Sequence, residues 1–138
     1  MKYRTTRSSA AVLFALALLG GCATVPDKPE DAVAQRAQAR YEALIAKDYK
    51  KAYAYFTPAF REANAYESWI RSRPPRAAFL AARVLKVECP TQDACSVEME
   101  TSYESPRGVR AAPKGPVERV TPERWVQVDG QWWLFQTR

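Results

Sequence analysis

Residues 125–134, WVQVDGQWWL, decide the fold of this 138-residue chain. Two alternating apolar runs flank a central Asp-Gly, a dipeptide that favours a two-residue type I′ turn because both residues tolerate a positive φ. That turn pairs Val126 with Trp133 on one face of a hairpin and Trp125 with Leu134 on the other. Since both faces are partly apolar, we expect the hairpin to belong to a larger sheet that helices cover on one side.

Period-two alternation predicts the rest of this sheet. The predicted strands are Val84–Cys89, Cys95–Glu104, Val117–Val128 and Gln131–Thr137. The apolar side of the first two strands consists of Leu85, Val87, Cys89, Val97, Met99, Thr101 and Tyr103. Pro122 has no N–H to donate to a sheet, so it places the start of the third strand at a bulge or an edge. We therefore predict a four-stranded, mainly antiparallel sheet.

Helical periodicity precedes the strands. From Glu30 onward, apolar residues recur at spacings of three and four along a stripe of Val33, Ala37, Tyr41, Leu44 and Ile45. Shorter helical pieces follow, with apolar residues at Tyr49, Ala52, Tyr53, Phe56, Phe60, Trp69 and Ile70. Pro74-Pro75 ends the last of them. Helices followed by strands predict a single α+β domain over residues 30–138, with the helices packed on the sheet.

Three segments of the chain resemble the nuclear-transport-factor-two-like superfamily. They are residues 41–53 (YEALIAKDYKKAY), 56–61 (FTPAFR) and 125–134. The resemblance implies a cystatin-like cone, in which N-terminal helices pack on a curved four-stranded sheet. These segments contain packing and turn residues but no catalytic group, so the resemblance concerns the fold rather than the function.

The amino terminus has the layout of an export signal. Lys2, Arg4 and Arg7 precede an apolar run over Ala10–Leu19. A membrane-spanning helix needs roughly twenty apolar residues, so this run is too short to be a permanent anchor. We expect residues 1–21 to be a signal peptide.

Leu19-Gly20-Gly21-Cys22 resembles the lipobox of bacterial lipoproteins. The resemblance implies a diacylglyceryl thioether on Cys22 and cleavage before it, which makes residues 22–29 a lipidated linker. Ala23, in place of an aspartate, implies by the same resemblance an outer-membrane location with the domain facing the periplasm. The alternative is an ordinary secreted protein in which Cys22 has no special role.

Charge does not indicate a nucleic-acid partner. The chain has 21 basic and 15 acidic residues, a net charge of +6, and three of the basic residues lie in the expected signal peptide. Without it, 18 basic residues face 15 acidic ones, a net charge of +3. This is too small for the strong basic surface of a nucleic-acid-binding domain.

The mature chain retains an even pair of cysteines, Cys89 and Cys95, once Cys22 is acylated. In the oxidising periplasm we expect them to form a structural disulfide between the ends of the first two strands. The alternative is a redox-active pair, which would favour a closer CxxC spacing.

Residue types argue against catalysis. The chain has no histidine, which excludes histidine-dependent triads and the usual zinc sites. The strand carboxylates fall opposite the predicted apolar side, at Glu88, Glu98, Glu100 and Glu104. We therefore expect a non-catalytic binding or assembly module of the cell envelope, without a metal or other cofactor. The alternative is a small isomerase-like or hydratase-like enzyme, or a ligand-binding cone.

Aromatic residues provide a candidate pocket, lined by Tyr49, Tyr53, Trp69, Tyr103 and Trp133. The other interpretation of these residues is a small aromatic core. The expected partners are the membrane, through the lipid on Cys22, and an envelope protein or anionic envelope component. Basic residues in the stretch 105–119 are candidates for meeting such an anion, namely Arg107, Arg110, Lys114 and Arg119. The open sheet face is a candidate homodimer surface.

Acylation of Cys22 can be tested directly. Cells grown with labelled palmitate should incorporate it into the wild-type protein and not into Cys22→Ala, because the thioether requires the thiol. Cys89→Ala should retain the label. Labelling that persists in Cys22→Ala would refute the lipid-anchor assignment.

Overall fold

The computed structural model describes residues 28–72, 78–104 and 115–137. Within these residues, four helices precede four strands. The helices are α1 (Pro29–Ile45), α2 (Tyr49–Tyr53), α3 (Pro58–Ala63) and α4 (Tyr66–Ser72), and the strands are β1 (Phe79–Thr91), β2 (Ala94–Glu104), β3 (Pro116–Val128) and β4 (Gln131–Phe135). The strands form one antiparallel sheet in the order β1-β2-β3-β4. The predicted α+β fold is confirmed.

Helix α1 is the long element that covers the sheet. It begins with Pro29 in its first turn, where the missing N–H costs nothing, and Glu30 and Asp31 lie near the positive end of the helix dipole. Its buried stripe includes Val33, Ala37, Arg40, Tyr41 and Leu44, which packs mainly against β1 and the neighbouring part of β2. The sheet is therefore buried on the face that meets α1.

The short helices α2 and α3 each begin at a side-chain cap. The carboxylate of Asp48 accepts a hydrogen bond from the backbone N–H of Lys51 at 3.1 Å, and the hydroxyl of Thr57 accepts one from Phe60 at 3.2 Å. Such caps satisfy N–H groups that have no partner within the helix. The chain changes direction before each of these helices, and Phe56, which is 1% exposed, packs into the core between them.

The β3–β4 hairpin has the predicted turn and register. Asp129 and Gly130 both have positive φ, 52° and 74°, as a type I′ turn requires. Trp125 pairs with Leu134, and Val126 pairs with Trp133. The hairpin prediction is therefore confirmed, although β4 ends at Phe135 rather than Thr137.

Two predictions for β1 are wrong. The strand runs from Phe79 to Thr91 rather than from Val84 to Cys89. Leu85 does not lie on the buried side; it is 41% exposed. The register shifts between Val84, which pairs with Met99, and Lys86, which pairs with Glu98. An extra residue in one strand interrupts the alternation of side chains, so Val84 and Val87 pack against the core while Leu85 faces solvent.

Pro122 lies in a part of β3 that forms an edge. Strand β4 pairs only with Arg124–Val128, so among the described residues the stretch from Pro116 to Glu123 has β2 as its single neighbour. The missing N–H of Pro122 therefore costs no sheet hydrogen bond on the open side. The predicted edge position is confirmed.

Cys89 and Cys95 form the predicted disulfide, with an S–S distance of 2.01 Å. It joins the adjacent ends of β1 and β2, and Cys95 is part of the buried core. The expected signal peptide and Cys22 lie outside the described residues. None of the helices described is long and apolar enough to cross a membrane.

Gly130 offers a test of how far the turn stabilises the fold. A Cβ added there would meet no atom within 4 Å, but φ is +74°, so Gly130→Ala should lower the unfolding free energy by about 1 kcal/mol through backbone strain alone. Asp129→Asn is the matched control, because asparagine accepts a positive φ and should leave stability nearly unchanged. Urea denaturation measures both, and equal midpoints for the two variants would contradict the strain argument.

Candidate functional site

A buried ion pair lies between α1 and the sheet. Nη1 of Arg40 donates to Oε1 of Glu123 at 2.8 Å, and both side chains are 7% exposed. Buried charges are costly unless they are paired and hydrogen-bonded. This buried pair is therefore a candidate for a reactive site.

The local sequence explains how both charges come to be buried. Arg40 follows Val33 by seven residues and Ala37 by three, so it lies on the buried stripe of α1. Glu123 lies two residues before Trp125 on β3, and side chains two apart share one face of a strand. Trp125 is fully buried, so Glu123 also faces α1.

Two further donors fix the carboxylate of Glu123. The hydroxyl of Tyr41 donates to Oε1 at 3.0 Å, and the indole N–H of Trp125 donates to Oε2 at 3.1 Å. Burial, helped by the nearby Glu123 carboxylate, raises the pKa of Tyr41 to about 12. The phenol therefore keeps its proton at neutral pH and remains a donor.

Aromatic rings surround the other member of the pair. The guanidinium carbon of Arg40 lies 5.2 Å from the ring centroid of Tyr41 and 5.3 Å from that of Phe56. A cation near an aromatic ring is attracted by the ring's quadrupole, more strongly when water is excluded. Arg40 is thus held in place by one carboxylate and two rings.

This arrangement binds α1 to β3 but does not favour proton transfer. A carboxylate offers about four acceptor positions, and Glu123 uses three of them, one for the Arg40 cation. A general base must reach a substrate proton at hydrogen-bond distance. The carboxylate of Glu123 instead points into the contact between helix and sheet.

The acid on the helix-facing side of the sheet was not predicted. The carboxylates of the first two strands lie as predicted: Glu88, Glu98 and Glu104 are exposed, and Glu100 pairs with the solvent-exposed Arg83. The missed signal was the alternation on the third strand. Counting back from the buried Trp125 places Glu123 on the inner face.

The five aromatic residues predicted to line a pocket lie in different places. Tyr53 and Trp69 are together, with ring centroids 5.4 Å apart, and the Tyr53 hydroxyl donates to the carbonyl oxygen of Asn64 at 2.7 Å. Tyr49 packs against the edge of the same core. The rings of this group form part of the hydrophobic core.

Tyr103 and Trp133 lie at opposite ends of the sheet. Trp133 pairs with Val126, which pairs with Ala94, whereas Tyr103 lies nine residues further along β2. At about 3.3 Å per residue the two positions are roughly 30 Å apart. Within the described part of the chain, the five side chains therefore do not surround one common cavity.

An open groove of about 330 Å³ lies beside the disulfide, between β2 and β3. Its lining residues are Pro90, Ala94, Cys95, Ser96, Pro122, Glu123 and Arg124. The carboxylate of Glu123 belongs to the buried pair, so the groove itself presents mainly apolar atoms. In the three described ranges, no group of three or more cysteine, aspartate or glutamate side chains is placed to hold a metal ion.

Comparison with known proteins gives a likeness to a solved structure. No profile of a protein family matches the chain, and no curated protein matches it by sequence. Among solved structures, it is similar to the solution structure of a SEC-C motif containing protein from Rhodopseudomonas palustris, with a TM-score of 0.55, 19% sequence identity and coverage of 73% of each chain. At this identity the likeness concerns the fold alone.

The buried pair should be a major source of stability. Glu123→Gln leaves the Arg40 cation desolvated without a counter-charge, so we expect the unfolding free energy to fall by about 3 kcal/mol. Glu100→Gln is the matched control, because its partner Arg83 is exposed and water can replace the lost interaction. Urea denaturation distinguishes the two.

If Glu123→Gln fails to fold, the double variant Arg40→Met with Glu123→Met tests the same point. Removing both charges together leaves no unpaired ion, so this variant should fold. Equal stability of Glu123→Gln and Glu100→Gln would contradict a structural role for the pair.

Proposed function

We propose that this chain is a membrane-anchored lipoprotein whose periplasmic domain acts as a non-catalytic binding or assembly module of the cell envelope. The non-catalytic part of this proposal is supported by the hydrogen bonds that the Glu123 carboxylate accepts. It is the carboxylate on the helix-facing side of the sheet, and Arg40, Tyr41 and Trp125 all donate to it. A group with these partners stabilises the domain rather than acting on a substrate.

Sequence supports the location. The lipobox ends at Cys22, and α1 begins at Pro29, so the intervening residues can span at most about 25 Å at roughly 3.5 Å each. A disulfide between Cys89 and Cys95 suits an oxidising compartment. The proposed anchor would therefore keep the amino-terminal end of α1 close to the bilayer surface.

The aromatic core also supports a binding module over an isomerase-like enzyme. Such an enzyme would need a cavity that reaches an ionisable side chain with a displaced pKa. Here Phe56 stacks on Phe60 with centroids 4.4 Å apart, and Trp69 meets Phe56 edge-on at 5.7 Å. These contacts fill the space between the short helices with side chains.

Fractionation of envelopes tests the proposal. Wild-type protein should sediment with outer-membrane vesicles in a sucrose gradient, while Cys22→Ala should be lost from that fraction. Crosslinking in intact cells should then trap an envelope component with the wild type and not with Cys22→Ala. Cys89→Ala with Cys95→Ala serves as a control that removes thiols without removing the anchor.

Two results would contradict the proposal. One is equal recovery of wild type and Cys22→Ala in the outer-membrane fraction, which would show that the lipid does not determine location. The other is an identical crosslinking pattern for the two proteins, which would show that the anchor does not bring the domain to its partner.

A further inference from the structure

Two arginines converge on the ring of Trp133. The guanidinium carbon of Arg36, from α1, lies 5.5 Å from its centroid, and that of Arg61, from α3, lies 5.2 Å away. Arg36 also lies 4.9 Å from the ring of Tyr55. Elements distant in sequence thus bring two cations to one indole. We call Arg36, Arg61, Tyr55 and Trp133 the arginine cluster.

The two cations have no counter-charge in the described ranges. Three ion pairs occur there, and they join Arg40 to Glu123, Arg83 to Glu100 and Lys86 to Glu88. Neither Arg36 nor Arg61 takes part in any of them. Because aromatic rings attract cations without neutralising them, the arginine cluster keeps a local charge of +2.

Donor capacity remains unused at both guanidiniums. When its amide is oriented to satisfy hydrogen bonding, Gln131 accepts from both terminal nitrogens of Arg36 at 3.2 Å. A guanidinium has five N–H donors, so three of those on Arg36 are left. The Nε atoms of Arg36 and Arg61 are buried without a hydrogen-bond partner among the described residues, as is that of Arg40, so the missing carboxylate rather than the free Nε sets the cluster apart.

The cluster is accessible yet partly shielded from water. All four of its side chains are intermediate in burial. Burial lowers the pKa of Arg36, which reflects the cost of desolvating a cation, and arginine nevertheless stays charged in proteins. An approaching anion would therefore meet donors that water screens less than it would on an open surface.

Arg40 provides an internal comparison one helical turn away. It too lies against two aromatic rings, and the protein supplies Glu123 as its anion. Arg36 and Arg61 have the ring contacts without the carboxylate. The cluster thus has the features of an anion site that no carboxylate of the described residues completes.

We propose that Arg36 and Arg61, held against Trp133, bind the phosphate group of an anionic ligand. Two planar guanidiniums suit phosphate because each can donate two parallel hydrogen bonds to its oxygens. Arg36 lies seven residues into α1, about 10 Å from its start. The amino terminus of α1 is the end nearest the bilayer under the proposed function, on which the choice of a membrane-surface phosphate rests; phosphate binding itself does not depend on the anchor.

The test uses the full chain purified in a non-ionic detergent. Inorganic phosphate, glycerophosphoglycerol and acetate are titrated separately while the Trp133 indole N–H and the arginine Nε–H signals are followed by NMR. We expect saturable shifts with the two phosphates. Arg36→Gln with Arg61→Gln should weaken phosphate binding by at least about tenfold, since charge-assisted bonds are lost at both guanidiniums.

Arg71→Gln with Arg83→Gln is the matched control, because it removes the same charge from exposed residues outside the cluster and should change the affinity by less than about twofold. If the double glutamine variant does not fold, Arg36→Lys with Arg61→Lys keeps the charges and removes the planar fork. It should still weaken binding several-fold.

The relative affinities for the two phosphates identify the source of the ligand. Tighter binding of glycerophosphoglycerol than of inorganic phosphate assigns the site to a lipid headgroup, and the reverse order assigns it to free phosphate. Equal affinity for acetate, equal binding by the cluster and control variants, or no saturable shift with either phosphate would overturn the proposal. Cys22→Ala should bind both phosphates as the wild type does, so failure of the anchor and failure of the phosphate site are distinguishable.

Discussion

The ion pair between Arg40 and Glu123 fixes the way α1 lies on the sheet. A helix packed on a sheet through apolar contacts alone can slide or rotate, because hydrophobic attraction has no direction. A charge-assisted hydrogen bond at 2.8 Å between residues 83 apart in sequence allows little such freedom. Tyr41 and Trp125 donate to the same carboxylate, so moving α1 would leave several buried groups unsatisfied at once.

The β3–β4 hairpin connects the sheet to the segment that follows α2. The turn at Asp129-Gly130 sets β4 against β3, and the backbone of Leu134 then accepts from the N–H of Thr57 at 3.2 Å and donates to the carbonyl of Tyr55 at 2.8 Å. The segment after α2 is thus joined to the edge of the sheet. Phe56 is carried into the core between Arg40 and Trp69.

Features determined by neighbouring residues were predictable from the sequence. The type I′ turn depends on two residues, and the disulfide on two cysteines at adjacent strand ends. The shift at Val84 and Lys86 was not predictable, because it depends on how β1 pairs with β2 as well as on its own alternation. The result was an incorrect placement of Leu85.

The Arg40–Glu123 contact was not predictable from the sequence for a related reason. A charge on an apolar stripe looks like an interruption of the pattern until its partner is known, and the partner lies on a strand far along the chain. Alternation from Trp125 would have placed Glu123 on the inner face, and helical spacing from Val33 would have placed Arg40 on the same side. Only the assembled sheet shows that the two meet.

Helix α1 therefore presents two arginines to different surroundings. Arg40 is 6% exposed and has its counter-charge within the protein, which makes it part of the fold. Arg36, one turn earlier, is half-buried and lies with Arg61 on Trp133. The two cations repel each other, and among the described residues they gain cation–π contacts and, for Arg36, hydrogen bonds to Gln131, but no neutralising carboxylate. The proposed recognition of a phosphate would supply the missing counter-charge to Arg36, which lies near the middle of α1.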